Sequence, residues 1–366
     1  MVNPKKITLI ITGLGMGGAE RQVCDLADQF SAKGHEVLLI AMTGEALNRP
    51  QSAKIEVVEL GMVKTPIGFI KAYWQARQLI KQFKPDVVHS HMVHANLFSR
   101  LLRLSVRIPK LICTAHNTSE GGRGRMLAYR ITDKLCDIST NVSQEAVDAF
   151  FAQGAVAKGR MLAMHNGIDT ERFTFDINHR IRLRTELNIS EEIPLLLAVG
   201  RLNVAKDYPN LLLAFHHIIK AGSLAHLVII GVGDEETKLI KMVAELGLCK
   251  RVYFLGLRHD VHEWMSAADL FVLSSAWEGF GLVVAEAMAC ERVVVATDCG
   301  GVKEVLGDCG MLVPPKNSAA LAVALAEALA LPPEQGLAQG RLARQRIVLH
   351  YSLTAQAEQW LQLYQQ

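Results

Sequence analysis

Glu278 and Glu286 stand eight positions apart, bracketing Gly279-Phe280-Gly281-Leu282-Val283-Val284-Ala285. On spacing alone, two such carboxylates suit an acid/base pair or a solvated helix face. The apolar run 268–275 lies just upstream, so the context is strand, glycine turn, then a helix starting near Gly281. A turn of that kind leaves backbone N–H groups free at a helix N-terminus, where an anion or a sugar hydroxyl can be met. Arg201 and Lys206 are five apart, directly after the apolar run Leu195–Val199. A planar guanidinium fork and a lysine point charge at a strand's carboxyl end suit a diphosphate, or simply an exposed surface. In the first half, His89, His91 and His94 follow one strand pattern and His116 ends another. In open α/β sheets ligands sit at the carboxyl ends of strands. His116 is therefore the candidate for substrate contact, while His89, His91 and His94 are expected in solvated or supporting roles. They lack a tetrahedral ligand set, which argues against zinc.

The elements that would position these groups alternate in type. Residues 7–12 form a short buried-strand pattern that runs into a glycine-rich turn, Gly13 to Gly18. A helix pattern follows, with Val23, Leu26, Ala27 and Phe30 on one face, and then a strand over 35–42. This is a β-α-β unit of the parallel-sheet kind. Gly13, Gly15 and Gly18 match the G-x-G-x-x-G dinucleotide fingerprint, but the second strand ends in Ile40-Ala41-Met42-Thr43 with no ribose-binding acid. That weakens a nicotinamide reading. The turn serves either close helix–strand packing or an approach to phosphate or sugar. Further strand patterns start at Asp86 and Lys110, then at Leu195, Leu227, Val252, Ala268 and Val293. The pattern predicts two doubly wound, Rossmann-like α/β domains facing an inter-domain cleft.

The composition is globular: 366 residues, half hydrophobic, a fifth charged, with a net charge of +3. That balance does not suggest nucleic acid. Seven scattered cysteines without a CxxC pair fit reduced thiols in a cytosolic protein. No signal peptide or membrane-length apolar run is visible. Charge is uneven, however. Residues 64–134 hold thirteen Lys/Arg against three Asp/Glu, some of them on helical patterns such as 69–77 and 96–103. Such a face either binds an anionic membrane surface or lipid carrier, or is an ordinary solvated one.

Six motifs in order resemble the retaining glycosyltransferases of family 4, which have the GT-B fold, over nearly the whole chain. They are Gly-Gly-Ala-Glu-Arg at 17–21, Thr-Ala-His-Asn at 114–117, Asn-Gly-Ile-Asp at 166–169, Val199 through Asp207, Gly-Val-Gly at 231–233, and the Glu278/Glu286 stretch. The likeness is closest to the bacterial surface-polysaccharide type. It implies an N-terminal acceptor-side domain over 1–168, a linker over 169–190 and a nucleotide-sugar donor domain over 191–350. A helix over 351–366 would cross back to the first domain.

The resemblance also implies roles. Arg201 and Lys206 would hold the donor diphosphate, with Gly17 and Gly18 closing on the phosphates. Glu286 would bind the ribose. Glu278 would contact the donor sugar, with Phe280, Gly281 and Leu282 presenting backbone beside it. His116 would lie at the reacting carbon, making His116 and Glu278 the catalytic candidates. No cofactor and no metal are expected. The implied reaction moves a hexose or N-acetylhexosamine, from a UDP-sugar, to a lipid-linked, lipopolysaccharide, O-antigen or capsule acceptor. The implied location is cytoplasmic and peripheral, on the inner face of the cytoplasmic membrane. Competing readings are a non-transferring epimerase or binder of GT-B fold and an NAD-dependent oxidoreductase.

Overall fold

The computed structural model describes residues 4–15, 17–118 and 120–366. The chain divides into two compact units, Met1–Gly167 with Leu353–Gln366, and Ile168–Ser352.

Unit 1 follows the order β1 (Lys6–Ile11), α1 (Gly18–Ala32), β2 (Glu36–Ala41), β3 (Glu56–Glu59), α2 (Pro66–Phe83), β4 (Val87–His91), α3 (Val93–Leu102), β5 (Lys110–Ala115), α4 (Arg123–Thr132), β6 (Ile138–Asn141), α5 (Gln144–Ala152) and β7 (Met161–Ala163). Unit 2 contains α6 (Ile177–Glu186), β8 (Leu195–Val199), α7 (Tyr208–Lys220), β9 (His226–Ile230), α8 (Glu236–Glu245), β10 (Val252–Phe254), α9 (Val261–Ala267), β11 (Leu270–Leu273), α10 (Leu282–Ala289), β12 (Val293–Thr297), α11 (Val302–Leu306), β13 (Met311–Val313), α12 (Ser318–Leu329) and α13 (Pro333–Tyr351). The last helix, α14 (Leu353–Leu363), returns to unit 1.

Each unit is built on one sheet. The strand orders are β3-β2-β1-β4-β5-β6-β7 and β10-β9-β8-β11-β12-β13, and every pairing is parallel. Strands buried on both faces read as continuous apolar runs, which is why Ile-Ile, Leu-Leu-Leu and Val-Val-Val mark them. In both sheets the order reverses once, between β1 and β4 and between β8 and β11. Loops leaving adjacent strands diverge at such a reversal, and ligands bind in the crevice formed there.

In unit 1 the residues of β4 alternate between two cores. Val87 packs with Leu9, Phe30 and, from α14, Ala357 and Trp360. Val88 packs on the opposite face with Ile40, Ala76 and Phe98. In unit 2, α7 and α12 cover a core of Leu196, Phe215, Leu227, Val272 and Leu325.

Two expectations fail here. Residues 169–190 are not a linker, because Ile168 onward belongs to unit 2 and α6 docks there. The charged sequence misleads because its arginines are bound to structure. Arg184 is 1% exposed. Its Nη1 pairs with Asp269 at 3.2 Å and its Nη2 donates to Ser190 O at 2.6 Å. Arg180 meets the other Asp269 oxygen at 2.7 Å. The 96–103 helix is likewise not a basic surface. Asn96, Ser99 and Arg100 are buried, and Arg100 donates to Tyr129 O, Thr132 Oγ1 and Ser139 Oγ at 2.9–3.1 Å.

Helix α2 does expose its face. Ile67, Ile70 and Trp74, at helical spacing, are 80%, 55% and 57% exposed beside exposed Lys64 and Lys71. Helix α4 exposes Leu127 and Ile131 beside Arg123 and Arg130. No helix among the described residues is long and apolar enough to cross a membrane.

Candidate active site

In unit 2 the loops leaving β8 and β11 meet at the strand-order reversal. Their backbones are stitched together: Ala276 N–H donates to Ala205 O at 2.8 Å, and Ser274 Oγ donates to Lys206 O at 2.8 Å. Tyr208, buried at the start of α7, donates to Gly200 O at 3.0 Å. This framework brings Lys206 Nζ into an ion pair with Glu278 Oε1. Ser275 Oγ donates to the same oxygen at 2.7 Å. Both side chains are largely enclosed, at 18% and 14% exposure, so solvent screens the pair only partly.

The support continues beneath Glu278. Thr297 Oγ1, at the end of β12, donates to Ser275 O at 2.7 Å. Gly301 N–H donates to Gly279 O at 3.1 Å. Gly300 has φ +58°, and a Cβ there would lie 2.1 Å from Glu278 O, so only glycine fits. Gly281, at φ +85°, caps α10, which begins at Leu282. The positive end of that helix dipole therefore lies beside Glu278 in sequence. Glu286 is half-buried about one turn into α10. Phe280 is 3% exposed, its ring packed 5.8 Å from Tyr351, so only its backbone can serve a ligand. Arg201 is exposed at the loop rim. Gly231 and Gly233 allow backbone contact between loops: a Cβ would lie 2.0 Å from Gly200 O and 2.3 Å from Leu202 O.

In unit 1 the loop after β1 opens a cavity of about 520 Å³, lined by Gly13, Leu14, Gly15, Glu20, Thr43 and Met92. Gly17 is the N-cap of α1 and Gly18 its first residue. The Glu20 carboxylate folds over Gly17, 2.3 Å from where a Cβ would sit. Met16 lies outside the described residues. His116 follows the last residue of β5. Its backbone N–H donates to Glu120 Oε1 at 3.1 Å, and Tyr129 OH donates to the other Glu120 oxygen at 2.5 Å. Its Nε2 lies 3.1 Å from His91 Nδ1. His89 and His91 are fully buried, not solvated, whereas His94 is exposed. Burial pushes the His89 pKa down to about 3 and that of His116 to about 4, and His91 also well below its ordinary value. All three rings are therefore neutral near pH 7.

The geometry thus assembles Lys206, Glu278 and the start of α10 in one unit, and His116 and the glycine loop in the other. Residues 179–346 match the family described as Glycosyl transferases group 1, and residues 16–172 match Glycosyltransferase Family 4. The putative glycosyltransferase EpsD of Bacillus subtilis is 30% identical over 267 residues, covering 69% of this chain and 70% of that protein. The chain is a family 4 glycosyltransferase. The glycosyltransferase is also 26% identical to the N-acetylgalactosamine-N,N'-diacetylbacillosaminyl-diphospho-undecaprenol 4-alpha-N-acetylgalactosaminyltransferase of Campylobacter jejuni, over 83% of this chain and 84% of that one. Its GT-B fold matches the crystal structure of Anabaena HepE in complex with UDP, with TM-score 0.85 and 21% identity over 98% and 99% of the two chains.

Several supporting residues of the glycosyltransferase carry no signal in sequence. Ser275 and Thr297 are ordinary small polar residues in apolar runs. Tyr364 reaches His89 Nδ1, at 2.7 Å, from 275 positions away. Glu120 could have been noticed as one of only three acids in the basic stretch.

Proposed function

We propose that this glycosyltransferase moves a hexose or N-acetylhexosamine from a UDP-sugar, with retention of configuration, to a lipid-linked or lipopolysaccharide, O-antigen or capsule acceptor. One observation carries the reading: an enclosed lysine and glutamate, paired at a strand-order reversal next to a helix N-terminus. As the donor bond breaks, negative charge develops on diphosphate oxygens. Lys206 and Arg201, with the positive end of the α10 dipole, stabilise that charge electrostatically without a proton transfer. Glu278 changes partner from Lys206 to a sugar hydroxyl, with Ser275 holding the carboxylate in place. Glu286 binds the ribose, Phe280, Gly281 and Leu282 offer backbone to the sugar, and Gly17 and Gly18 serve the phosphates. His116 meets the donor at its reacting carbon. No step in this scheme calls for a metal or cofactor. The UDP complex of HepE and the diphospho-undecaprenol acceptor in the Campylobacter name support the donor and acceptor classes.

The test is a panel of UDP-, GDP- and ADP-sugars, incubated with polyprenyl-diphosphate glycan acceptors and read by mass spectrometry. A mass gain of one hexose or N-acetylhexosamine from a UDP-sugar is expected. Transfer from GDP-mannose alone, or free epimerisation without transfer, overturns the assignment.

The exposed faces of α2 and α4 support a peripheral position on an anionic membrane, at the cytoplasmic face where lipid-linked acceptors would be met. Apolar Ile67, Ile70 and Trp74 would enter the interface while Lys64 and Lys71 meet headgroups. Flotation with vesicles containing phosphatidylglycerol should recover the protein at low salt and much less at high salt. Equal, negligible recovery at both removes this part of the proposal.

A further inference from the structure

The buried histidines of unit 1 carry an inference that rests on the reading of His116 given above. His89 and His91 are two apart on β4, so both rings lie on one face of the sheet. His89 is fixed at both nitrogens, by Tyr364 OH at 2.7 Å and Thr114 Oγ1 at 2.6 Å. Its ring lies against Trp360 and His91, with centroids 4.4 and 4.0 Å away. The plane of His91 is thereby set. His91 Nδ1 meets His116 Nε2 at 3.1 Å, while His91 Nε2 is sealed from solvent with no partner among the described residues. Glu120 fixes the backbone of His116 from the other side.

A neutral imidazole carries one N–H, and the other nitrogen accepts. Only two arrangements therefore satisfy the His91–His116 bond. If His116 donates from Nε2, the His91 proton must sit on its sealed Nε2, leaving a buried N–H without an acceptor. If His91 donates from Nδ1, the sealed Nε2 is only a lone pair, and the His116 proton sits on Nδ1. Orphaned buried donors are rarer in folded proteins than under-satisfied acceptors.

We infer that His91 is a positioning residue that fixes His116 as its Nδ1–H tautomer, so that His116 presents a hydrogen-bond donor, not a base, to an oxygen of the sugar-nucleotide donor. His89, Tyr364 and Thr114 hold the ring that sets this tautomer. The C-terminal helix α14 is thus part of the same device.

The tautomer is read from long-range ¹H–¹⁵N spectra of the full chain labelled with ¹⁵N-histidine, with His116 assigned by its loss in His116→Asn. The expected wild-type spectrum has a protonated Nδ1 and an unprotonated, hydrogen-bonded Nε2. His91→Asn keeps an N–H donor near the Nδ1 position and should retain that pattern, with transfer within about threefold of wild type. His91→Phe should move the proton to Nε2, or split the population, and lower kcat about tenfold with a smaller change in donor KM. An Nε2–H tautomer in the wild type overturns the inference without any variant, as does an unchanged tautomer in a folded His91→Phe. Full transfer by His116→Asn would instead remove the role given to His116, and the wild-type spectrum would still decide the tautomer.

Discussion

Replacing Gly300 by alanine is expected to disable Glu278 without touching it. A Cβ at residue 300 would lie 2.1 Å from Glu278 O, whereas real Cβ contacts stay above 3.0 Å, so one backbone must move by about 0.9 Å. Neither side yields cheaply. Gly301 N–H is bonded to Gly279 O at 3.1 Å, and the Glu278 carboxylate is tied to Lys206 and Ser275. A displacement of that size at a substrate-positioning group costs on the order of 100-fold in rate. The left-handed backbone, φ +58°, adds about 1–2 kcal/mol of strain for a non-glycine residue. In a unit of this size that lowers the melting temperature by roughly 3–6 °C. Gly247, at φ +70° with nothing within 4 Å of its Cβ position, separates the two effects. Gly247→Ala should lose only the stability due to that backbone strain and keep its activity. The assay is transfer from the preferred nucleotide sugar alongside a thermal melt of each variant. If Gly300→Ala turns over as fast as Gly247→Ala, the packing of the 299–301 turn does not position Glu278.

Three other outcomes follow from the same geometry. Lys206→Ala removes the enclosed cation and should lower kcat/KM about 10²–10³-fold; a loss under tenfold in steady-state kinetics would contradict a charge-stabilising role. Asp269→Ala leaves buried Arg184 with only the more exposed Glu191 carboxylate, 3.5 Å away, and should destabilise unit 2 by about 3 kcal/mol in urea titrations, whereas a true linker would show no change. His89 and His116, held at about 3 and about 4 against an ordinary 6.5, bind protons more readily when unfolded. Their contribution to stability is complete above pH 6.5 and is lost as pH falls toward 4, with a slope up to about 1.4 kcal/mol per pH unit for each. Urea titrations between pH 7.5 and 4.5 should give a shallower slope for His116→Asn, and parallel slopes would mean the ring is not held neutral.

The sequence by itself determined the layering. Strands such as Leu195–Val199 are buried on both faces, so their apolar runs declare a parallel sheet, and the glycines after them declare where the chain turns closely. It also placed Glu278, Lys206 and His116 at strand ends, because the end of an apolar run is a local feature. Charge misled where the partner was remote. Arg184 and Arg100 look solvated in sequence, but each is buried against acceptors that lie on other elements. Only the tertiary structure could decide the pairings. Lys206 meets Glu278 because the strand order reverses between β8 and β11. Gly300 is required because its turn lies under the Glu278 carbonyl. His91 reaches His116 across two neighbouring strands, in a ring stack fixed by Tyr364, 275 positions downstream of His89. Each of these contacts joins residues distant in sequence through hydrogen-bond and packing geometry, which no local pattern of residue types encodes.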